Sequence, residues 1–171
     1  FASSDFQRYL GCRDAAVIAV SIFGGLRRSE VITLTRESYD QTTGSLRVIG
    51  KGNKERIVFL APLARRYVDG WIRWHRGEDP GPLLYSRSKR EPIGYSTVDA
   101  ILARHATLAK ILKFTPHDLR RTFVTRILDA TGDLAAARKA AGHEKVETTI
   151  RYDKRAEKAA KVATEKLDEG I

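Results

Sequence analysis

Apolar positions recur at helical intervals along most of this chain and alternate with polar ones in a single stretch. Ala15 to Phe23 is apolar on nearly every side, the pattern of a central buried helix, and Gly24-Gly25 stops it. The apolar pattern resumes at Leu26 and runs on through Val31, Ile32 and Leu34, with the basic pair Arg27-Arg28 at its edge. Between Ser45 and Leu60 the period drops to two. Leu46, Val48, Ile57 and Phe59 alternate with polar neighbours about Gly50-Lys51-Gly52-Asn53-Lys54, which predicts a β-hairpin. Pro62 to Gly77 returns to helix, and Leu63, Tyr67, Trp71 and Trp74 recur at four, four and three, a stripe assigned to the core. Leu83, Leu84 and Tyr85 form a short buried piece, and Arg87-Ser88-Lys89-Arg90 an exposed basic turn.

A further helix is predicted from Ser96 to Leu112, with Ser96 and Asp99 close to a capping box and Ile101, Leu102, His105, Leu108, Ile111 and Leu112 on its inner side. Thr115 is a good N-cap and Pro116 suits the first helical position. The helix they open buries Leu119, Phe123, Ile127 and Leu128 and ends at Gly132. Asp133 caps a short helix ending at Gly142, in which Ala135, Ala136, Ala137, Ala140 and Ala141 suit close packing. Glu147 to Asp153 is a short helix or turn. Lys154 to Leu167 is a basic amphipathic helix with Ala156, Ala160, Ala163 and Leu167 in one stripe. The fold class is mainly α with a small antiparallel β-hairpin or sheet.

A chain of 171 residues without repeats or a clear linker is expected to be one domain, residues 1–171, large enough to bury a proper core. It starts at Phe1 and contains no Met, so a piece of a longer protein is expected. Lys and Arg outnumber Asp and Glu by 31 to 21, a net charge of +10, which points to a polyanionic partner, nucleic acid before an acidic membrane surface. The plain alternative is a generally basic soluble protein. The longest apolar run, Ala15 to Leu26, is broken by Ser21, Gly24 and Gly25 and is too short to span a bilayer, so no membrane is expected. A single cysteine, Cys12, excludes an internal disulfide and a Cys-based zinc site, and His75 and His105 lack partners at metal spacing. A cytoplasmic-type soluble domain is expected.

Candidate chemistry gathers downstream. His117 and Arg120 stand three apart at a helix start, on one face, where backbone N–H groups already favour an anion. Gly142-His143 follows, and Tyr152 comes nine residues after His143. Two imidazoles, a guanidinium and a phenol suit a site that attacks a phosphodiester with its own side chain. Arg grips phosphate oxygens in a planar fork, His exchanges protons near neutrality, and Tyr can form a covalent intermediate. Upstream, Glu30 is placed to orient Arg27 three residues back, although an ordinary surface pair would look the same. The hairpin tip carries Lys51 and Lys54 between Arg47 and Arg56; it can reach a DNA groove and supply an acid to a leaving oxygen, or be a solvated turn.

Gly25-Leu26-Arg27-Arg28-Ser29-Glu30, Gly50-Lys51-Gly52-Asn53-Lys54-Glu55-Arg56, His117-Asp118-Leu119-Arg120, Gly142-His143 and Tyr152 stand in the order and spacing of the tyrosine recombinase (phage integrase) catalytic domain, which the chain resembles from about Cys12 to Arg155. Thr148-Thr149-Ile150-Arg151-Tyr152-Asp153-Lys154-Arg155 looks most like phage, plasmid and Xer-like bacterial members. The resemblance implies the DNA breaking-rejoining fold of that family and site-specific recombination or integration. It implies strand cleavage through a 3′-phosphotyrosyl bond, with Arg27, Lys51, His117, Arg120, His143 and Tyr152 as active-site residues and Glu30 in support. No metal and no ATP are implied.

Further contacts to double-stranded DNA are expected from Arg28, Arg47, Lys54, Arg56, Arg87, Lys89, Arg90 and Arg121. The implied partners are DNA and other recombinase protomers, with the 154–168 helix docking in trans, and the implied location is the cytoplasm, at the nucleoid of a bacterial host. Two departures, Ala140-Ala141 where a Leu pair is common and Phe59 where Pro is frequent, touch no chemistry. The DNA-clamping domain usual at the N-terminus in the family is not in this sequence. A type IB topoisomerase-like activity and a non-catalytic DNA-binding module on the same fold are the rival readings.

Overall fold

The first helix, α1 (Ala2–Phe23), is the axis on which most of the other helices pack, and its composition explains why. Ala16, Val17, Ala19 and Val20 are buried along its C-terminal half, and the two alanines let neighbouring backbones approach closely. The structure, a computed structural model, describes residues 2–88 and 90–142, without the side chains of residues 2–4, Phe6 and Lys51. Lys89, His143, Tyr152, the 147–153 turn and the 154–168 helix of the sequence reading lie outside the described residues. Helix α1 begins well before the apolar run, because Tyr9 is also buried, one turn above Arg13 and Asp14. Asp14 is fully buried and receives hydrogen bonds from Arg13 (3.2 and 3.0 Å) and Arg104, with His105 Nε2 at 3.3 Å. The charge is tolerated inside because it is paired on several sides. His105 is thus a structural partner of α1.

After Gly24-Gly25 comes the short helix α2 (Arg28–Ile32), then a three-stranded antiparallel sheet of β1 (Tyr39–Asp40), β2 (Ser45–Ile49) and β3 (Glu55–Phe59). Leu46 lies opposite Val58 and Val48 opposite Arg56. The inner face therefore holds Leu46, Val48 and Val58 together with Arg56, while Ile57 (51% exposed) and Phe59 (70%) face out beside Arg47 and Ser45. The expected hairpin is present, but the inward set on its second strand is shifted by one residue from the expected Ile57 and Phe59. Side-chain period two makes such a slip exchange the faces completely.

Helix α3 (Pro62–Trp71) packs on α1 through Ala64, Val68 and Trp71. Leu63, Tyr67 and Trp74, expected in the core, are exposed. A π-helical turn (Ile72–Arg76) follows, and its wider winding carries Ile72 inward and leaves Trp74 70% exposed. Trp71 satisfies its indole N–H on the Leu83 carbonyl at 2.7 Å.

Helix α4 (Tyr95–Leu108) buries Val98, Ile101, Leu102 and Ala106 and stops four residues before the expected end; Leu108, Ile111 and Leu112, expected on its inner side, are exposed. Its N-cap is Gly94. Asp99 does not close a capping box with Ser96; it pairs with Arg28 instead.

The last described helices are α5 (Pro116–Thr131) and α6 (Leu134–Ala141), capped as expected by Thr115 and Asp133 and ended by Gly132 and Gly142 in the left-handed conformation. Phe123, Val124 and Leu128 pack with Ala137 and Ala141 into a second, smaller core. Gly25 joins the two halves. At φ +59° it sits so close to α5 that a Cβ there would lie 2.2 Å from the Phe123 ring. Gly25→Ala is expected to cost about 2–4 kcal/mol from backbone strain and overpacking. Urea unfolding checks this through a lowered midpoint at unchanged slope; a parental midpoint would mean that Phe123 moves aside without cost.

Candidate active site

Arg27 precedes α2 with extended backbone (φ −70°, ψ 153°), and Glu30, one turn on, folds back to it. Glu30 Oε2 accepts from the Arg27 backbone N–H at 2.7 Å and Oε1 from Arg27 Nη1 at 2.9 Å. Glu30 thus holds Arg27 at both its backbone and its side chain. A third party completes it: Arg56 Nη1 donates to Oε1 at 2.8 Å and Nη2 to Oε2 at 2.9 Å. Glu30 is only 2% exposed. Burial pushes its carboxyl up, but the hydrogen bonds from Arg56, and then those from Arg27, outweigh it and hold the group below its ordinary value.

Arg120 projects from the second turn of α5 and is 6% exposed. Its Nη1 donates to the Gly25 carbonyl at 2.5 Å and its Nη2 to the Ala141 carbonyl. Arg27 Nη2 donates to the next carbonyl, Gly142, at 3.2 Å. Two guanidiniums distant in sequence thus meet at the C-terminal end of α6, where unpaired carbonyls and the helix dipole favour cations. The next residue in the chain is His143.

His117 occupies the first turn of α5 and is exposed. That turn is fixed by Thr115 and Asp118: Asp118 Oδ2 accepts from the Thr115 backbone at 2.9 Å, and Thr115 Oγ1 accepts from the Asp118 N–H at 3.2 Å. The Thr115 hydroxyl, donating at 2.7 Å, is the first reason that Asp118 sits below the ordinary carboxylate value.

The other expected residues divide. Lys51 opens a 3₁₀ turn at the hairpin tip (Lys51–Asn53), where Gly52 and Asn53 take positive φ. Lys54, Arg47 and Arg121 are exposed. Arg28 pairs with Asp99 and lies 4.9 Å over the Tyr95 ring, half exposed. Arg87 pairs with Asp5 at 3.2 Å, and Arg90 approaches Asp79 at 3.9 Å. Both line a groove of about 690 Å³ with Tyr9, Trp74 and His75, which shares no residue with the arginine cluster.

Arg56 departs from the expectation of a DNA contact. Its strand phase turns it inward onto Glu30, leaving its side chain 12% exposed. Sequence reading missed that role, along with the carbonyls of Gly25, Ala141 and Gly142. The available signal for Arg56 was its two-residue spacing from Val58. Among the described residues no group of His, Cys, Asp and Glu gathers to hold a metal, and no helix is long and apolar enough to cross a membrane.

The phage integrase family model matches residues 3–159. The chain is 34% identical over 146 residues to the tyrosine recombinase XerC of Vibrio vulnificus, covering 84% of this chain and 46% of the relative. It is 33% identical over 156 residues to the tyrosine recombinase XerD of Pseudomonas aeruginosa, covering 88% of this chain and 52% of the relative. The chain thus spans about half the length of these curated relatives. Among solved structures, XerA recombinase superposes with a TM-score of 0.73 at 27% identity, over 85% of this chain and 55% of that one. XerH bound to a palindromic difH substrate in a post-cleavage complex superposes at 0.74 and 21% identity, over 91% and 47%, a likeness of fold.

Glu30 gives this cluster a pH signature. Its folded value is depressed, so the unfolded chain binds the proton more readily; its stabilisation is complete above the ordinary value of 4.5 and fades as pH falls through the folded value. Glu30→Gln should therefore be less stable than the parent near neutrality, with the gap closing as pH falls below the ordinary carboxylate value. Urea unfolding across that range checks it; a pH-independent gap would mean that ionised Glu30 is not what the fold favours.

Proposed function

The chain belongs to the phage integrase family, and from that premise we propose that it is the catalytic domain of a bacterial or phage-encoded tyrosine recombinase that cleaves and rejoins double-stranded DNA at specific sites. The observation that carries this reading is the convergence of Arg27 and Arg120 on adjacent carbonyls, Gly142 and Ala141, immediately before His143. Paired guanidiniums held at one place suit the two non-bridging oxygens of a phosphodiester, and their charge counts most as the phosphorus becomes pentacoordinate.

In this mechanism Tyr152 Oη attacks the scissile phosphorus. The P–Oη bond forms as the P–O5′ bond breaks, leaving a 3′-phosphotyrosine and a free 5′-hydroxyl. Tyrosine has an ordinary pKa of about 10, so the attack needs a proton acceptor, and His117 on the exposed first turn of α5 takes the proton. Lys51, at the tip of the β2–β3 hairpin, protonates the departing O5′. His143 donates a hydrogen bond to the phosphate. Attack by the 5′-hydroxyl of a partner strand reverses each transfer and restores the enzyme.

Exposed Arg47, Lys54 and Arg121 suit sequence-independent phosphate contacts, and Arg28, Arg87 and Arg90 reach DNA from the edges of their ion pairs. The 154–168 stretch docks on a neighbouring protomer bound to the same DNA, and the protein acts in the cytoplasm, at the nucleoid.

Tyr152→Phe removes the nucleophilic oxygen. It should abolish the denaturant-stable adduct with a nicked suicide substrate, a loss beyond about 10³-fold, while DNA affinity stays within about threefold because phosphate charge dominates it. An adduct formed by the Phe variant would assign the nucleophile elsewhere. Lys51→Ala should slow cleavage by about 10²–10⁴-fold, and a 5′-bridging thiolate, a better leaving group, should recover most of that loss. Equal defects on both substrates would move Lys51 from proton donor to phosphate contact.

A further inference from the structure

An inward arginine on a strand of a small sheet is an unusual placement, since Lys and Arg are rarely buried without a partner. Arg56 occupies it because of register: it lies opposite Val48, on the same face as Val58 and Leu46. There it does two things. Its guanidinium takes one acceptor site on each oxygen of Glu30, at 2.8 and 2.9 Å. Its stem lies against Gly142, where an added Cβ would come within 2.8 Å of Arg56 Cδ and 3.0 Å of Nε. Gly142, at φ +64°, is the residue before His143, and its carbonyl is the one held by Arg27 Nη2.

The geometry of the shared carboxylate decides what Arg56 contributes. Arg27 holds Glu30 by its backbone N–H and a single side-chain nitrogen, Nη1. A carboxylate alone with one arginine prefers the bidentate fork, which would take Nη2 as well. Arg56 already occupies the sites that such a fork would use, so Arg27 Nη2 remains on the Gly142 carbonyl and its side chain remains 41% exposed. Charge follows the same logic. Two guanidiniums share one buried carboxylate, so the trio keeps a net positive charge; without Arg56 the Arg27–Glu30 pair would be neutral.

We infer that Arg56 is a positioning residue for strand cleavage: it occupies and neutralises Glu30 so that Arg27 stays turned toward the phosphate, and it packs on Gly142 to fix the start of the segment carrying His143. The inference rests on the recombinase reading above. It replaces a DNA contact with an indirect role, and the two differ in what they affect. A phosphate contact governs affinity and its salt dependence; a positioning residue governs the rate after binding.

The test uses the full chain and a nicked suicide substrate, with the Tyr152-dependent adduct as signal, and compares Arg56→Gln, Arg56→Lys and Arg56→Gln with Glu30→Gln. Arg56→Gln should cut the single-turnover adduct rate by about 10- to 100-fold, the range for broken side-chain networks, with DNA affinity within about threefold and the salt slope unchanged. The double variant should cleave faster than Arg56→Gln alone, because the unmatched carboxylate that captures Arg27 has been removed. The deficit of Arg56→Gln should also narrow as pH falls and Glu30 takes up a proton. Arg56→Lys, which keeps the charge but loses the fork, should fall between parent and Arg56→Gln; it carries the test alone if the Gln variant fails to unfold cooperatively.

A parental cleavage rate in Arg56→Gln (or in Arg56→Lys, where that variant stands alone) overturns the inference, as does a double variant no faster than the single one. Weakened binding with a salt slope lower by about one restores Arg56 as a DNA contact. Absence of any Tyr152-dependent adduct in the parent would instead overturn the recombinase reading itself.

Discussion

Glu30 is a carboxylate taken almost wholly out of water, and four N–H groups converge on it. A buried charge of that kind persists only when its partners are held in good geometry. Those partners come from the start of α2 and from β3, so the carboxylate sets the distance between a helix and a sheet. The same arginines then reach α6, one through the Gly142 carbonyl and the other by filling the space that a Cβ at Gly142 would need. Arg120 brings in α5 by bonding Gly25 and Ala141. Four elements that are separate in sequence are registered at one point by guanidinium groups. The apolar core holds the helices against α1, but it has no such directional preference.

Local signals were legible in the sequence. Thr115, Pro116 and Asp118 opened α5, Asp133 opened α6, and Gly132 and Gly142 ended them, because caps are decided by the residues beside them. The pairing of Glu30 with Arg27, three residues apart, belongs to the same class. Faces were read less well. In α3 and the turn after it the expected stripe holds at Trp71 but not at Leu63, Tyr67 and Trp74; Ala64 and Val68 are buried instead, because small residues let α3 pack closer to α1. In β3, Ile57 and Phe59 looked like the inward set because they are apolar, yet Val58 takes that place. The strand phase was fixed by pairing with β2 and by the attraction of Glu30 for Arg56, a residue whose charge argues outward when it is read alone.

The site was legible as an inventory and only partly as an arrangement. Arg27, His117 and Arg120 were identifiable because residue type and spacing carry chemical meaning. Their convergence depends on the carbonyls of Gly25, Ala141 and Gly142, and a backbone carbonyl has no signature in sequence. The likeness to XerC and XerD sequences and to the XerA fold gives that inventory its family, while the hydrogen bonds give it a geometry. Lys51, His143 and Tyr152 enter through sequence order alone.

One consequence concerns entropy. Glu30 grips Arg27 at both ends, by the backbone N–H and by the guanidinium, while Gly142 holds a second nitrogen of the same group. Freezing a free arginine side chain costs up to about 2 kcal/mol, and an arginine that meets DNA from solvent incurs that cost on binding. Arg27 has incurred it on folding. On the recombinase reading proposed above, a phosphate arriving there would meet a donor array whose disorder has already been removed, so more of the contact enthalpy would remain as affinity and orientation.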